Sequence, residues 1–348
     1  MVNSIKNISV NNMSILEKVK QKVVYNYRFK RFVFGLLQQR FIVNNHIYTF
    51  FYDNKIRKKM LKFEAMPLRV MVENTNICNS NCFFCPHEKM KRKTGFMDME
   101  LFKKIVGQCK EAKIKHLVLH GFGEPLMDKL FFERVKIAKN RGIPLVTSNT
   151  NGMYLDKENI KKMLDSGLDE IIVSLDAATE KTYKKIRPGL DFNTVEKNII
   201  ELIGQKNKNK AIKPKVILSF VENEENINER SEYLKKWAKA VDGVSISYCH
   251  NWSGALTRIT NKTLKRDPCR LLWTDMVISW NGDVPLCCSD YENKTIIGNI
   301  KNQTIKEIWE GKKLREVHEI HKKREFEKIN LCENCTLNFH DKSPWWGV

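Results

Sequence analysis

The residues with the clearest chemical signature are cysteines. Cys78, Cys82 and Cys85 form a CxxxCxxC run. Three thiolates on one short loop can hold three corners of a cubane iron–sulfur cluster and leave the fourth iron open to a ligand. A zinc loop is the alternative reading, and His87 is then the candidate fourth ligand. Further along, Cys269-x17-Cys287 and Cys332-x2-Cys335 offer four more thiolates. Four suffice for one fully ligated cluster or for a four-cysteine zinc site. Cys288 adjoins Cys287, and neighbours on a strand face opposite sides. Cys287 is therefore expected to face the metal while Cys288 packs as a small hydrophobe. Cys109 falls inside a helical pattern and is expected in the core.

Such ligands need a scaffold. Short apolar runs at 68–72, 116–119, 143–146, 170–174, 216–221 and 244–248 read as strands. Longer amphipathic stretches lie between them, at 99–110, 128–141, 157–165, 192–204 and 227–241. The alternation predicts an α/β fold, a partial (β/α)6 TIM-like barrel over residues 67–260. After about residue 260 the pattern changes. Asn281-Gly282-Asp283 predicts a hairpin turn between strands at 276–280 and 284–287, followed by a helix at 305–314. Residues 261–348 thus read as a small C-terminal iron–sulfur domain, whose own core is marginal without metal. Residues 1–66 read as a basic helical N-terminal extension, with Phe29, Phe32, Val33, Leu36, Leu37 and Phe41 at helical spacing.

Polar motifs fall at successive strand ends: Gly121-Phe122-Gly123-Glu124-Pro125, Asn149-Thr150-Asn151-Gly152, Ser174-Leu175-Asp176-Ala177, and then Ile186-Arg187-Pro188-Gly189. Glycine suits places where a ligand approaches the main chain closely. With the cysteine loop, this order of motifs resembles the radical S-adenosylmethionine (SAM) superfamily. Phe84 fits that family's aromatic position before the last cysteine, and GFGEP stands where the family has GGEP, with Phe122 replacing a glycine.

The resemblance implies that Cys78, Cys82 and Cys85 hold a SAM-binding [4Fe–4S] cluster. Phe84 is then expected near the adenine, and Gly121, Gly123 and Glu124 at the SAM amino group. Thr150 belongs to the TNG turn, Ser174 to the ribose or carboxylate contact, and Arg187 to the carboxylate. The C-terminal region is similar to a SPASM or twitch extension in its single-cluster form. That implies an auxiliary [4Fe–4S] cluster on Cys269, Cys287, Cys332 and Cys335. Cys249, expected at the end of the sixth strand, is then a candidate hydrogen donor to a substrate radical. Tyr248, His250 and Trp252 are candidates to line the substrate pocket.

Composition narrows the remaining choices. The chain has 348 residues, 42% of them hydrophobic and 29% charged, as in ordinary globular proteins. No apolar run approaches the roughly 18–20 residues that span a bilayer, and no secretory signal is visible at the start. A cytoplasmic location is expected, where clustered cysteines bind metal rather than form disulfides. The net charge of +21 attracts anionic partners, and residues 1–66 alone carry thirteen Lys or Arg against three acids. An anionic small-molecule or peptide substrate is expected, and peripheral membrane contact through residues 1–66 is a further expectation. No nucleic-acid motif stands out. The resemblance also implies an electron donor such as flavodoxin or ferredoxin. The expected function is two-electron oxidation of a sugar-like or other small alcohol, the alternative being modification of a peptide or protein.

Overall fold

A computed structural model describes residues 66–256 and 266–337. The basic extension and its membrane contact therefore lie outside the described residues, as does the 260/261 domain boundary. Among the described residues no helix is long and apolar enough to cross a membrane.

Each expected strand forms, with ends moved by a few residues. They are β1 (Arg69–Val72), β2 (His116–Val118), β3 (Leu145–Thr150), β4 (Glu170–Ser174), β5 (Lys215–Glu222) and β6 (Gly243–Tyr248). Helix α1 (Met99–Glu111) shows why the intervening segments coil. Asp98 caps its first turn by accepting from the N–H groups of Glu100 and Leu101. Leu101, Phe102, Ile105, Val106 and Cys109 then share its buried face, with Cys109 fully buried as expected. A buried apolar face likewise marks α2 (Phe131–Asn140), α3 (Lys157–Leu164), α4 (Glu180–Ile186), α5 (Phe192–Lys208) and α6 (Arg230–Trp237). Asp156, Thr179 and Asp191 cap α3, α4 and α5.

The sheet keeps the six expected parallel strands of a partial barrel and adds a seventh. Its order is β6-β5-β4-β3-β2-β1-β7, where β7 (Asp275–Ile278) pairs parallel to β1 in the register Arg69↔Asp275 to Val72↔Ile278. An ion pair between Arg69 and Asp275 fixes that register. Residues 276–280 and 284–287 thus do not form the predicted two-stranded hairpin. The turn itself is present: Gly282 has φ +91°, its N–H donates to the Ser279 carbonyl at 2.8 Å, and Ser279 N–H donates to the Asp283 carbonyl at 2.8 Å. The strand before the turn is taken by the open edge of β1, whose parallel ladder buries Val277 and Ile278. The strand after it, β8 (Asp283–Pro285), pairs antiparallel with β9 (Ile296–Asn299). Short helices α7 (Leu271–Thr274), α8 (Ile305–Trp309), α9 (Lys312–Lys323) and α10 (Asn330–Glu333) complete the C-terminal region. Thr304 and Glu307 form a capping box on α8.

Candidate iron–sulfur and cofactor site

The cysteine loop leaves the C-terminal end of β1 through a buried polar run. Glu73, Asn74, Thr75 and Asn76 are all 2% exposed or less. Each polar side chain is tied to neighbouring loops, because an unpaired buried polar group costs roughly 1–3 kcal/mol. Asn74 donates to Asp128 at 3.1 Å, Thr75 to the Gly95 carbonyl at 2.8 Å, and Asn76 to the Lys93 carbonyl at 2.9 Å. Glu73 accepts a bidentate pair from Arg92 at 2.8 and 2.6 Å. Sequence reasoning missed this frame. Its signal was four polar residues in a row after an apolar strand. His87 does not turn to the cysteines; its Nε2 lies 2.9 Å from the Asn76 carbonyl oxygen.

The GFGEP and TNG segments meet each other. Glu124 is buried and accepts from the Thr150 hydroxyl at 2.7 Å, Asn151 N–H at 2.7 Å and Leu126 N–H at 3.1 Å. Burial raises its pKa, and the donors from Asn151 and Thr150 oppose the rise. Neighbouring protein leaves no room for a side chain at either glycine of this segment. A Cβ on Gly121 would lie 2.6 Å from Glu73 Cβ, and one on Gly123 would lie 2.4 Å from the Thr75 carbonyl oxygen. Ser174 sits at the end of β4 and accepts from the Ser219 hydroxyl at 3.2 Å.

Arg187 is the charged centre of this end of the barrel. Its Nε donates to Asp176 at 2.7 Å, and Nη1 donates to Cys82 Sγ at 3.4 Å. The guanidinium lies 5.5 Å from the centroid of Phe84. Burial works against the Arg187 charge, but Asp176 and Cys82 outweigh it and raise its pKa. Asp176 itself stands at φ +54° and also accepts from Val221 N–H at 2.6 Å. The cysteine loop is tied down by Phe83 N–H, which donates to the Ile186 carbonyl at 2.8 Å, and by the Ser80 hydroxyl, which donates to the Pro188 carbonyl at 3.1 Å.

The Cys78 thiol is pushed up to about 11 and the Cys85 thiol up to about 12, chiefly by burial, with Glu124 and Cys82 adding repulsion at Cys78 and Cys82 and Cys78 adding it at Cys85. The three sulfurs therefore feel one another inside a low-dielectric pocket, where Arg187 is the cation that opposes the shift. Irons bound to these sulfurs supply the missing positive charge and ionise them, so the donor set fits a cluster. Cys249 follows β6, is half-buried and packs on the Phe84, Ile186 and Leu256 cluster.

The distal cysteines share a second buried region. Cys287 is pushed well up by burial and by repulsion from Cys288 and Cys269, and Cys332 is pushed to about 12 by burial, then Cys269 and Cys335. Cys287 and Cys288 do not lie on the strand expected to carry them. β8 ends at Pro285, so both residues lie in a turn, where strand alternation does not apply. Cys288, raised to about 12 by burial, is also repelled by Asp275 and Cys269. Among the described residues no three His, Cys, Asp or Glu side chains close tightly enough to hold a single metal ion. The fit of each set to a larger cluster rests on donor type and shared electrostatics.

A cavity of about 120 Å³ lies between the GFGEP loop and the auxiliary cysteines Cys287 and Cys288. Glu73, Arg92, His120 and Phe122 form its barrel side, His250 and Trp252 one wall, and Cys287, Cys288, Asp290 and Asn293 the other. Phe122 meets Trp252 at 5.4 Å and Tyr291 at 6.3 Å between ring centroids. His250 and Trp252 thus line the cavity as expected. Tyr248, 71% exposed, does not. His120 Nδ1 is buried with no hydrogen-bond partner, and burial lowers the pKa of that ring to about 4, with Arg69 adding to the shift.

A model of the radical SAM superfamily matches residues 72–246, and one of the SPASM iron–sulfur cluster-binding domain matches residues 269–336. Among curated relatives, an S-adenosyl-L-methionine-dependent 2-deoxy-scyllo-inosamine dehydrogenase of Niallia circulans is 26% identical over 271 residues, covering 76% of this chain and 91% of the relative. A probable GTP 3′,8-cyclase of Methanococcus maripaludis is 35% identical over 127 residues, which is 36% of this chain and 42% of that protein. Two solved structures share the fold. BtrN in complex with AdoMet and 2-DOIA has a TM-score of 0.58 at 20% identity, covering 81% of this chain and 98% of its own. Streptococcus suis SuiB bound to precursor peptide SuiA has a TM-score of 0.59 at 15% identity, covering 86% and 80%.

Proposed function

The chain belongs to the radical SAM superfamily, and we propose that it oxidises a small hydroxylated molecule, such as an amino sugar or aminocyclitol, by two electrons. Membership with a SPASM domain implies a SAM-binding [4Fe–4S] cluster and an auxiliary cluster. Once loaded, these supply a 5′-deoxyadenosyl radical that takes a hydrogen atom from carbon, and an acceptor for the second electron.

The observation that carries this reading is the cavity with auxiliary cysteines in its wall. A molecule held there lies between the GFGEP loop and Cys287. His120 stands in the same wall. Arg92, Glu73 and Asp290 offer charged hydrogen-bonding groups to a polar ring. The Niallia circulans relative, named as a dehydrogenase of an aminocyclitol, supports the same class. Within the proposal, Cys78, Cys82 and Cys85 hold the first cluster and Cys269, Cys287, Cys332 and Cys335 the second. Phe84, Gly121, Gly123, Glu124, Thr150, Ser174 and Arg187 surround SAM, and flavodoxin or ferredoxin supplies the reducing electron.

The test is anaerobic reconstitution followed by reaction with SAM, reductant and a panel of aminocyclitols and amino sugars. One carbonyl product per 5′-deoxyadenosine is expected. Turnover of a short precursor peptide in place of every small alcohol would move the protein to the peptide-modifying class. Intact SAM with both clusters loaded would remove the enzyme reading.

A further inference from the structure

The auxiliary cysteines come from separate stretches of chain, and one side chain bridges two of them. His321 lies on α9 and is 1% exposed. Its neighbour one turn back, His318, stacks on Trp273 with centroids 4.2 Å apart and donates through Nε2 to the Leu272 carbonyl at 2.7 Å. Trp273 and Phe326 meet the His321 ring edge-on, at 6.3 and 5.0 Å. Packing thus sets the orientation of that imidazole.

The backbone N–H of Cys269 donates to His321 Nδ1 at 3.2 Å. A ring nitrogen that accepts carries no proton, so the ring is neutral and its proton is on Nε2. Nε2 faces Cys332 Sγ at 3.4 Å. A protonated Nε2 is a donor and not a metal ligand, so His321 gives an N–H to the sulfur and leaves the ligand position to Cys332.

We propose that His321 is a positioning residue of the auxiliary cluster, holding the Cys269 backbone beside Cys332 and tuning the cluster's reduction potential through an Nε2–H···Sγ hydrogen bond. Hydrogen bonds to ligand sulfur disperse the negative charge that grows on reduction, and so raise the potential. The inference rests on the auxiliary cluster alone and holds whichever substrate is bound.

The test uses the full chain with Cys78, Cys82 and Cys85 all replaced by Ala, so that the auxiliary cluster is the one present. Its midpoint potential is read by redox titration with EPR detection, beside the iron content. His321→Gln keeps an N–H near the Nε2 position, whereas His321→Asn keeps an acceptor near Nδ1 and loses the donor to Cys332. The Gln variant should hold the parent potential with about four irons, and the Asn variant should shift to a more negative one. If the Asn variant is isolated without iron, the Gln variant decides: parent potential supports the hydrogen bond, and a shifted or missing cluster overturns it. Equal potentials in all three proteins, or equal shifts in both variants, also overturn it.

Discussion

Cys78, Cys82 and Cys85 occupy one loop, whereas Cys269, Cys287, Cys332 and Cys335 are drawn from three parts of the C-terminal region. The first set sits on the loop that follows β1, tied down by Ile186, Pro188 and Arg187. The second set is brought together across long loops, with buried His321 joining Cys269 to Cys332. Closing such loops costs entropy that local ligands do not incur. Metal should therefore matter for chemistry at the first set, and for both folding and chemistry at the second.

The largest expected effect separates the two sets. Replacing Cys78, Cys82 or Cys85 by Ala should lower 5′-deoxyadenosine yield to that of an enzyme-free control, with thermal stability close to the parent. Unchanged yield in any of the three would refute the ligand assignment. Cys332→Ala with Cys335→Ala should remove the auxiliary irons and lower the melting temperature of the reconstituted chain. Structural metal sites in small domains contribute on the order of 10 kcal/mol to apparent folding free energy. Calorimetry showing equal melting for both classes of variant would erase the contrast drawn here.

A smaller effect probes the frame of the first set. Arg187 and Asp176 form a buried ion pair with side chains 7% and 0% exposed. Arg187→Ala strands the carboxylate and should cost about 3–5 kcal/mol in urea unfolding. Adding Asp176→Ala should cost less than the sum of the single changes. A strictly additive result would mean that the two side chains act independently.

The smallest effect is a pH dependence shared by the barrel interior. Burial, then Arg69, lowers the pKa of His116 and His120 to about 4, against about 6.5 in an unfolded chain. Between these values the unfolded chain binds protons that the folded chain refuses. Stability present above pH 6.5 is therefore lost as pH falls toward 4, about 2 kcal/mol per histidine by pH 5. His120→Gln should flatten that slope in urea titrations at pH 7 and pH 5, and an unchanged slope would place the acid sensitivity elsewhere.

The sequence by itself determined the ligand types, the alternating α/β pattern and the strand-end position of the GFGEP, TNG and Ser174 motifs, whereas Arg187, expected at a strand end, instead closes α4. Those features follow from short-range spacing: cysteines separated by three and by two residues, apolar runs, and caps such as Asp98 before α1. Tertiary structure alone decided where residues 275–278 went. The turn at Gly282 suits a hairpin, but the unfilled edge of β1 offers a longer parallel ladder, and that competition has no local signal. It also decided that Cys288 lies in a turn beside Cys287, that Glu73 to Asn76 form the buried frame of the ligand loop, and that His321 reaches Cys332. Each depends on partners far away in sequence, because burial and polar satisfaction are properties of the packed chain and not of the segment.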